Sequence, residues 1–223
     1  MALIVQKYGG TSVGDLERIH KVAQRVHHYL EKGHQLVVVV SAMGRMTDEL
    51  IALARRVNKR PPQRELDMLT TIGEQQSVAL LSMQLNAMGI PARGFTQHQI
   101  GITTDGRYGD ARILRVEPTL IQQALNRGEV AVVAGFMGTT PEGELTTLGR
   151  GGSDTTAVAL AAALGRGSAK SLPIPKGFIP PTHTPSLRRK NSTKLATTRC
   201  WRWRPWERGC CTPGRFTTAS AMG

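Results

Sequence analysis

Residues 1–165 predict an α/β fold built on a mostly parallel sheet with helices against both faces. Three observations lead there. Runs such as "LVVVV" (36–40) and "VAVVA" (130–134) are apolar without a break, the pattern of strands buried on both sides. Longer stretches between them repeat their apolar residues every three or four positions, the period of a helix packed by one stripe. The two kinds of stretch alternate along the chain, which is how parallel strands are connected.

The first element, "ALIVQKY", is rich in β-branched residues and stops at Gly9 and Gly10, so it reads as a strand. In "LERIHKVAQRVHHYL", Leu16, Ile19, Val22, Ala23, Val26 and Leu30 share one helical stripe, with Asp15 placed as N-cap. "HQLVVVVSA" is the second strand. "TDELIALARRV" reads as a helix capped by Thr47, with Asp48 and Glu49 beside its positive end. Residues 63–88 keep helical spacing, with a break expected near Gly73. "IPARGFT" is a strand, and "GITTDGRYGDARI" is loop-rich with strand fragments. "PTLIQQALNRG" has Pro at its start and Gly past its end, the asymmetry of a helix. "EVAVVAGFMGT" is another buried strand, and the small residues of "SDTTAVALAAALG" suit a short, closely packed helix.

The 223-residue chain has a formal net charge of +13, but the charge is unevenly placed. Residues 1–165 carry 17 Lys and Arg against 15 Asp and Glu, whereas residues 166–223 carry 12 against 1. The first part is therefore close to neutral, and a phosphate-binding argument from charge applies only to the second. All three Cys (Cys200, Cys210 and Cys211) fall in that second part, so the first is no disulfide scaffold. The start lacks the basic and small-residue pattern of a secretory signal, and no apolar run approaches the ~20 residues that cross a bilayer. A cytoplasmic location without membrane contact is expected.

Chemistry concentrates in three loops. "KYGGTSV" follows a strand: its glycines let the backbone approach phosphate oxygens, Lys7 supplies a positive charge, and the helix that follows would present free N–H groups. The same residues would also serve as a strand–helix turn with a solvated Lys. In "VVSAMGRMTDEL", Ser41 ends a strand and Thr47 opens a helix, where a hydroxyl can grip a carboxylate or phosphate or simply cap. In "TTLGRGGSDTTAV", Arg150 offers a two-pronged guanidinium to a carboxylate, Gly151 and Gly152 permit close approach, and Ser153 and Asp154 sit at a helix start. Glu74, taken alone, reads as an exposed helix carboxylate. His20, His27, His28 and His34 lie on or just after the polar face of the first helix without partners at metal spacing, so no metal site is assigned.

"KYGGTSV", "VVSAMGRMTDEL", "TIGEQQSVALL" and "FMGTTPEGELTTLGRGGSDTTA" resemble, in order and spacing, the aspartokinases of the amino-acid kinase superfamily. The resemblance covers residues 1–165. It implies a three-layer αβα, carbamate kinase-like fold and phosphoryl transfer from ATP, with Mg2+, to the β-carboxylate of L-aspartate. That reaction opens lysine, threonine and methionine biosynthesis. By resemblance, Lys7, Gly9, Gly10, Thr11 and Ser12 hold the ATP phosphates. Ser41, Thr47, Glu74, Arg150, Gly151, Gly152 and Ser153 take aspartate, with Arg150 on a carboxylate and Glu74 on the amino group. Lys7 and Asp154 are the catalytic pair, Lys7 neutralising the transferred group and Asp154 organising Lys7 or the metal. Relatives of this kind assemble as homo-oligomers.

After Gly165 the regularity stops. Seven of the twelve prolines lie beyond it, and "CWRWRPWERGCC" packs three Trp, three Arg and three Cys into a dozen residues. Aspartokinases continue instead with a segment that closes over the nucleotide, and then with ACT regulatory domains. Reading permitted codons for Leu172–His183 from the third base gives T-D-T-E-G-V-Y-T-T-D-P-H, which is similar to that missing segment. The same offset over Leu195–Thr212 gives a second family-like stretch, G-Y-D-E-V-L-E-M-A-S-L-G-A-G-V-L-H. Residues 166–223 are therefore read as out of frame and unpacked, without ACT domains and without a specific nucleic-acid role. The alternatives are an inactive kinase fragment and, from another class, a basic tail that stacks on and neutralises nucleic acid. A sheet truncated there would expose an apolar strand edge and make the protein poorly soluble.

Overall fold

The structure, a computed structural model, describes residues 2–165 and 168–171. Strand β1 (Leu3–Tyr8) leads through a single 3-10 turn to α1 (Leu16–Glu31) and β2 (Gln35–Val40). Three helices follow: α2 (Met46–Val57), α3 (Gln63–Thr70) and α4 (Ile72–Ala87). Then come β3 (Ala92–Phe95), β4 (Ile102–Thr104), β5 (Ile113–Val116), α5 (Thr119–Asn126) and β6 (Val130–Ala134). The described chain ends with β7 (Met137–Thr139), β8 (Leu145–Thr147), α6 (Gly152–Ala163) and β9 (Ser168–Ser171).

Five strands form an all-parallel sheet in the order β3-β6-β2-β1-β9. Val37 to Val40 and Val130 to Ala134 are buried throughout, as unbroken apolar runs require. The chain first steps from β1 towards β3, and α1 and α4 pack together over that half. It then turns back, so right-handed crossovers put α5 and α6 on the opposite face, against β6 and β1. The α/β expectation holds. Asp15 caps α1 as expected, its carboxylate accepting from the Arg18 N–H at 2.8 Å.

The break expected near Gly73 is present, at Thr71, two residues earlier. Several details differ from the sequence reading. Thr47 does not cap α2: the helix begins at Met46, which places Thr47 inside the first turn. Leu16 is 68% exposed and borders a surface groove with Leu80 and Met83 of α4 instead of entering the core. "EVAVVAGFMGT" is two strands: at Gly135 and Phe136 the chain leaves the parallel sheet as β6 and enters a second one as β7.

That second sheet is mixed, in the order β5-β4-β7-β8, and β8 was not foreseen. Residues 168–171 form a strand on the outer side of β1, in register from Ile4↔Ser168 to Lys7↔Ser171. Backbone pairing needs no apolar period, which is why composition hid this strand. The β1 edge is thus covered rather than open. The expectations for residues 166, 167 and 172–223 fall outside the described residues. No helix among the described residues is long and apolar enough to cross a membrane.

Candidate active site

The parallel strands β1, β2 and β6 end side by side, and the loops leaving their carboxyl ends surround a cleft of about 320 Å³. Binding crevices in open α/β sheets form at this edge because successive loops diverge there. Lys7, Gly9, Gly10, Ser41, Thr47, Glu74, Arg150, Gly151, Gly152, Ser153 and Asp154 all line it, with Lys7 and Arg150 facing one space. Thr11 and Ser12 do not. The backbone turns after Gly10, Ser12 N–H bonding the Gly9 carbonyl at 2.8 Å, so Ser12 points into the protein and Thr11 to solvent.

The helix N-terminus at the cleft also differs from expectation. It belongs to α6, whose first residues Gly152, Ser153 and Asp154 are in the wall. The α1 start lies further along the chain, and its Arg18 N–H is already bonded by Asp15.

Close backbone approach builds the cleft. A Cβ on Gly10 would stand 2.7 Å from the Ala42 carbonyl oxygen, so only glycine lets the β1 loop lie on the β2 loop. The Gly44 N–H then bonds the Gly10 carbonyl at 3.0 Å. Gly73 does the same for α4: its Cβ would meet the Ala42 side chain at 2.6 Å. That contact drops the first turn of α4 onto the β2 loop and carries Glu74 inward.

Glu74 is therefore buried, 3% exposed, and not the solvated carboxylate that its position in a helix suggested. One oxygen, Oε1, accepts the Ala42 N–H at 3.1 Å, and the other, Oε2, is buried without a partner. Burial pushes its pKa up to about 7, against the pull of the Ala42 N–H. Lys7 Nζ is 3.1 Å from Asp154 Oδ2, an ion pair that joins the first loop to α6. Ser41 Oγ donates to Ser153 Oγ at 2.9 Å, so Ser153 binds across the cleft instead of capping its own helix. The Arg150 guanidinium has no hydrogen-bonding partner among the described residues.

Ala42, Gly44, Phe136 and Gly149 complete the lining and were missed. Phe136 had a readable signal, a bulky residue wedged between glycines in "AGFMG". Its φ is +72°, a conformation that costs a non-glycine residue about 1 kcal/mol or more. The backbone holds it there: its N–H donates to Thr156 Oγ1 at 3.2 Å and its carbonyl accepts the Leu148 N–H at 2.8 Å.

The arrangement can seat an anion at Lys7 and the α6 N-terminus, a carboxylate at Arg150, and a cationic group at Glu74. A model of the amino acid kinase family matches residues 2–168. An aspartokinase of Thermus thermophilus is 82% identical over 165 residues, which are 74% of this chain and 41% of that protein. Among solved structures, aspartate kinase from Synechocystis superposes with a TM-score of 0.68 at 48% identity, covering 76% of this chain and 28% of that one. E. coli aspartokinase III in complex with aspartate and ADP gives 0.66 at 25% identity, covering 76% of this chain and 49% of that one. The chain thus spans about two-fifths of the length of the Thermus relative.

Proposed function

Because the chain belongs to the amino acid kinase family, we propose that its cleft seats L-aspartate beside the triphosphate of ATP, for phosphoryl transfer to the β-carboxylate. The products are 4-phospho-L-aspartate and ADP. The observation that carries this reading is one cleft containing Lys7, an unpaired Arg150 and a buried Glu74 with a free oxygen. Those three groups match the charges of a phosphate, a carboxylate and an ammonium. The solved E. coli relative with aspartate and ADP supports the same pair of ligands.

Arg150 takes a substrate carboxylate and Glu74, with Ser41 and Ser153 beside it, takes the amino group. The β-carboxylate is left aimed at the nucleotide. A carboxylate oxygen attacks the γ-phosphorus while the bond to the bridging oxygen of ADP breaks, and ADP leaves with that electron pair. The nucleophile is already ionised at neutral pH, so no base is required and alignment with charge neutralisation does the catalysis. Lys7 neutralises charge on the transferred group, and Asp154 holds the Lys7 ammonium in place. Gly9 and Gly10 admit the phosphates to the backbone.

Mg2+ fits this cleft as a cation carried by the nucleotide. No group of three His, Cys, Asp or Glu among the described residues could hold a metal. Asp154 is the acidic residue beside Lys7, and Mg2+ commonly uses one or two carboxylates plus substrate phosphates. When bound, it would draw off charge from the phosphate oxygens.

The test is hydroxylamine trapping of acyl phosphate, together with calorimetric titration of L-aspartate, on the full chain. Aspartate-dependent hydroxamate should form in the wild type and fall ~100-fold or more in Lys7→Ala. Absence of L-aspartate binding in the wild type would overturn the reading. Binding without turnover would leave the cleft's ligand in place and make the chain an inactive member of its family.

A further inference from the structure

We infer that Asp67, a residue outside the cleft, is the positioning residue for Arg150 and so sets the affinity for the substrate carboxylate. The inference rests on the aspartate-binding reading above. Asp67 lies on α3 and is 1% exposed. A carboxylate so buried needs its oxygens matched by donors. Oδ1 accepts from Gln63 Nε2 at 3.0 Å, one turn earlier on the same helix. Oδ2 accepts two backbone N–H groups from separate segments: Gly109 at 2.8 Å and Thr147 at 2.9 Å.

Those two segments frame the arginine loop. Thr147 is the last residue of β8, three positions before Arg150. Its carbonyl accepts the Ala111 N–H at 2.8 Å, so the 105–111 loop and β8 are bonded to each other and both to Asp67. The next residue, Leu148, donates to the Phe136 carbonyl. Gly149 then passes so close to Asp110 that a Cβ would meet Asp110 Oδ1 at 2.6 Å. Arg150 emerges from this frame with no side-chain partner of its own among the described residues, so its place is set by backbone alone. An apolar residue at position 67 could fill the space. It would leave the Gly109 and Thr147 N–H groups orphaned and release the frame.

A second tie from α3 to the same hairpin offers a control. Arg64 Nε bonds Glu144 Oε2 at 2.6 Å in the β7–β8 turn, but both side chains are well exposed. Exposed pairs of this kind contribute little.

The experiment compares L-aspartate affinity by calorimetry in the wild type, Asp67→Ala, Asp67→Asn, Asp67→Glu and Arg64→Ala, with melting curves and amide hydrogen exchange on each. Asp67→Ala should raise Kd about tenfold or more, the scale of a misdirected charged hydrogen bond. Asp67→Asn should stay within ~3-fold of wild type: its carbonyl can accept both backbone N–H groups while its NH2 donates to Gln63 Oε1 after that amide turns over. Asp67→Glu keeps the carboxyl group but shifts the acceptors by a methylene, and should weaken binding several-fold. Arg64→Ala should bind as the wild type does.

In Asp67→Ala, exchange should accelerate at Gly109, Thr147 and residues 149–151. If Asp67→Ala does not fold, Asp67→Glu against Asp67→Asn decides. Unchanged affinity in a folded Asp67→Ala or in Asp67→Glu overturns the inference, as does unchanged exchange at 147–151. A wild type that fails to bind L-aspartate defeats the reading of the cleft, while the exchange results still judge the frame.

Discussion

In the five-stranded sheet, Val37 to Val40 are wholly buried members of the apolar core; in the four-stranded sheet, Thr104 and Thr146 are as deeply buried and bond each other, hydroxyl to hydroxyl, at 2.6 Å. The first sheet is held by area removed from water, which is non-directional and tolerant of small shifts. The second buries Ile102 and Met137 in the same core and adds matched donors and acceptors: the Thr pair, the Asp67 carboxylate and the backbone bonds at Phe136 and Ala111. Such bonds fix position within tenths of an ångström and are costly when broken. The cleft draws on both, its Lys7 and Ser41 walls coming from the apolar sheet and its Arg150 wall from the polar one.

The largest effect is expected from an unpaired charge in the apolar sheet. Val38→Asp places a carboxylate at a fully buried position and should cost about 5 kcal/mol, enough to unfold the protein, as read by circular dichroism. A folded Val38→Asp protein with a normal melt would erase the contrast between the sheets.

Next comes Glu74, where the two modes of support meet. Its folded pKa, about 7, lies above the ordinary 4.5, so the folded state holds a proton that the unfolded state has lost. The stability it supports is full below pH 4.5, falls as the pH rises towards 7, and levels off above it. Urea unfolding at pH 4.5 and 8 should differ by about 3 kcal/mol through this group, and Glu74→Gln should flatten that part of the profile. An equal pH slope in both proteins would show that Glu74 is not the source. The smallest effect tests the polar sheet. Thr146→Val should cost ~1–2 kcal/mol by orphaning the Thr104 hydroxyl, and Thr104→Val added to it should recover part of the loss.

The same contrast explains what the sequence disclosed. Unbroken apolar runs announced β2 and β6, because burial on both faces leaves little choice of residue, and β1 was legible from its β-branched residues and the glycines that stop it. β8 was invisible because Leu145, Thr146 and Thr147 show neither an apolar run nor a clear alternation, although their partners Met137, Gly138 and Thr139 lie just across one short turn. The glycines, Lys7 and Arg150 could be read as site residues from local loop chemistry. Glu74 could not be read as buried from helix pattern alone, since Gly73 against Ala42 decides it, a contact between segments some thirty residues apart. Asp67 was passed over for the same reason: its three donors come from Gln63, Gly109 and Thr147. Thr47 shows the opposite failure, a suitable capping residue that lies two positions past the cap, inside the first turn of its helix.

The crossing of Gly10 over the Ala42 carbonyl has a mechanical consequence. Main chain rests directly on main chain there, with the Gly44 N–H clasping the Gly10 carbonyl, so no rotamer change stands between the two turns to absorb a displacement. A push on the turn beside Lys7 is handed to the turn beside Ser41 almost undiminished, and the two walls travel as one rigid jaw.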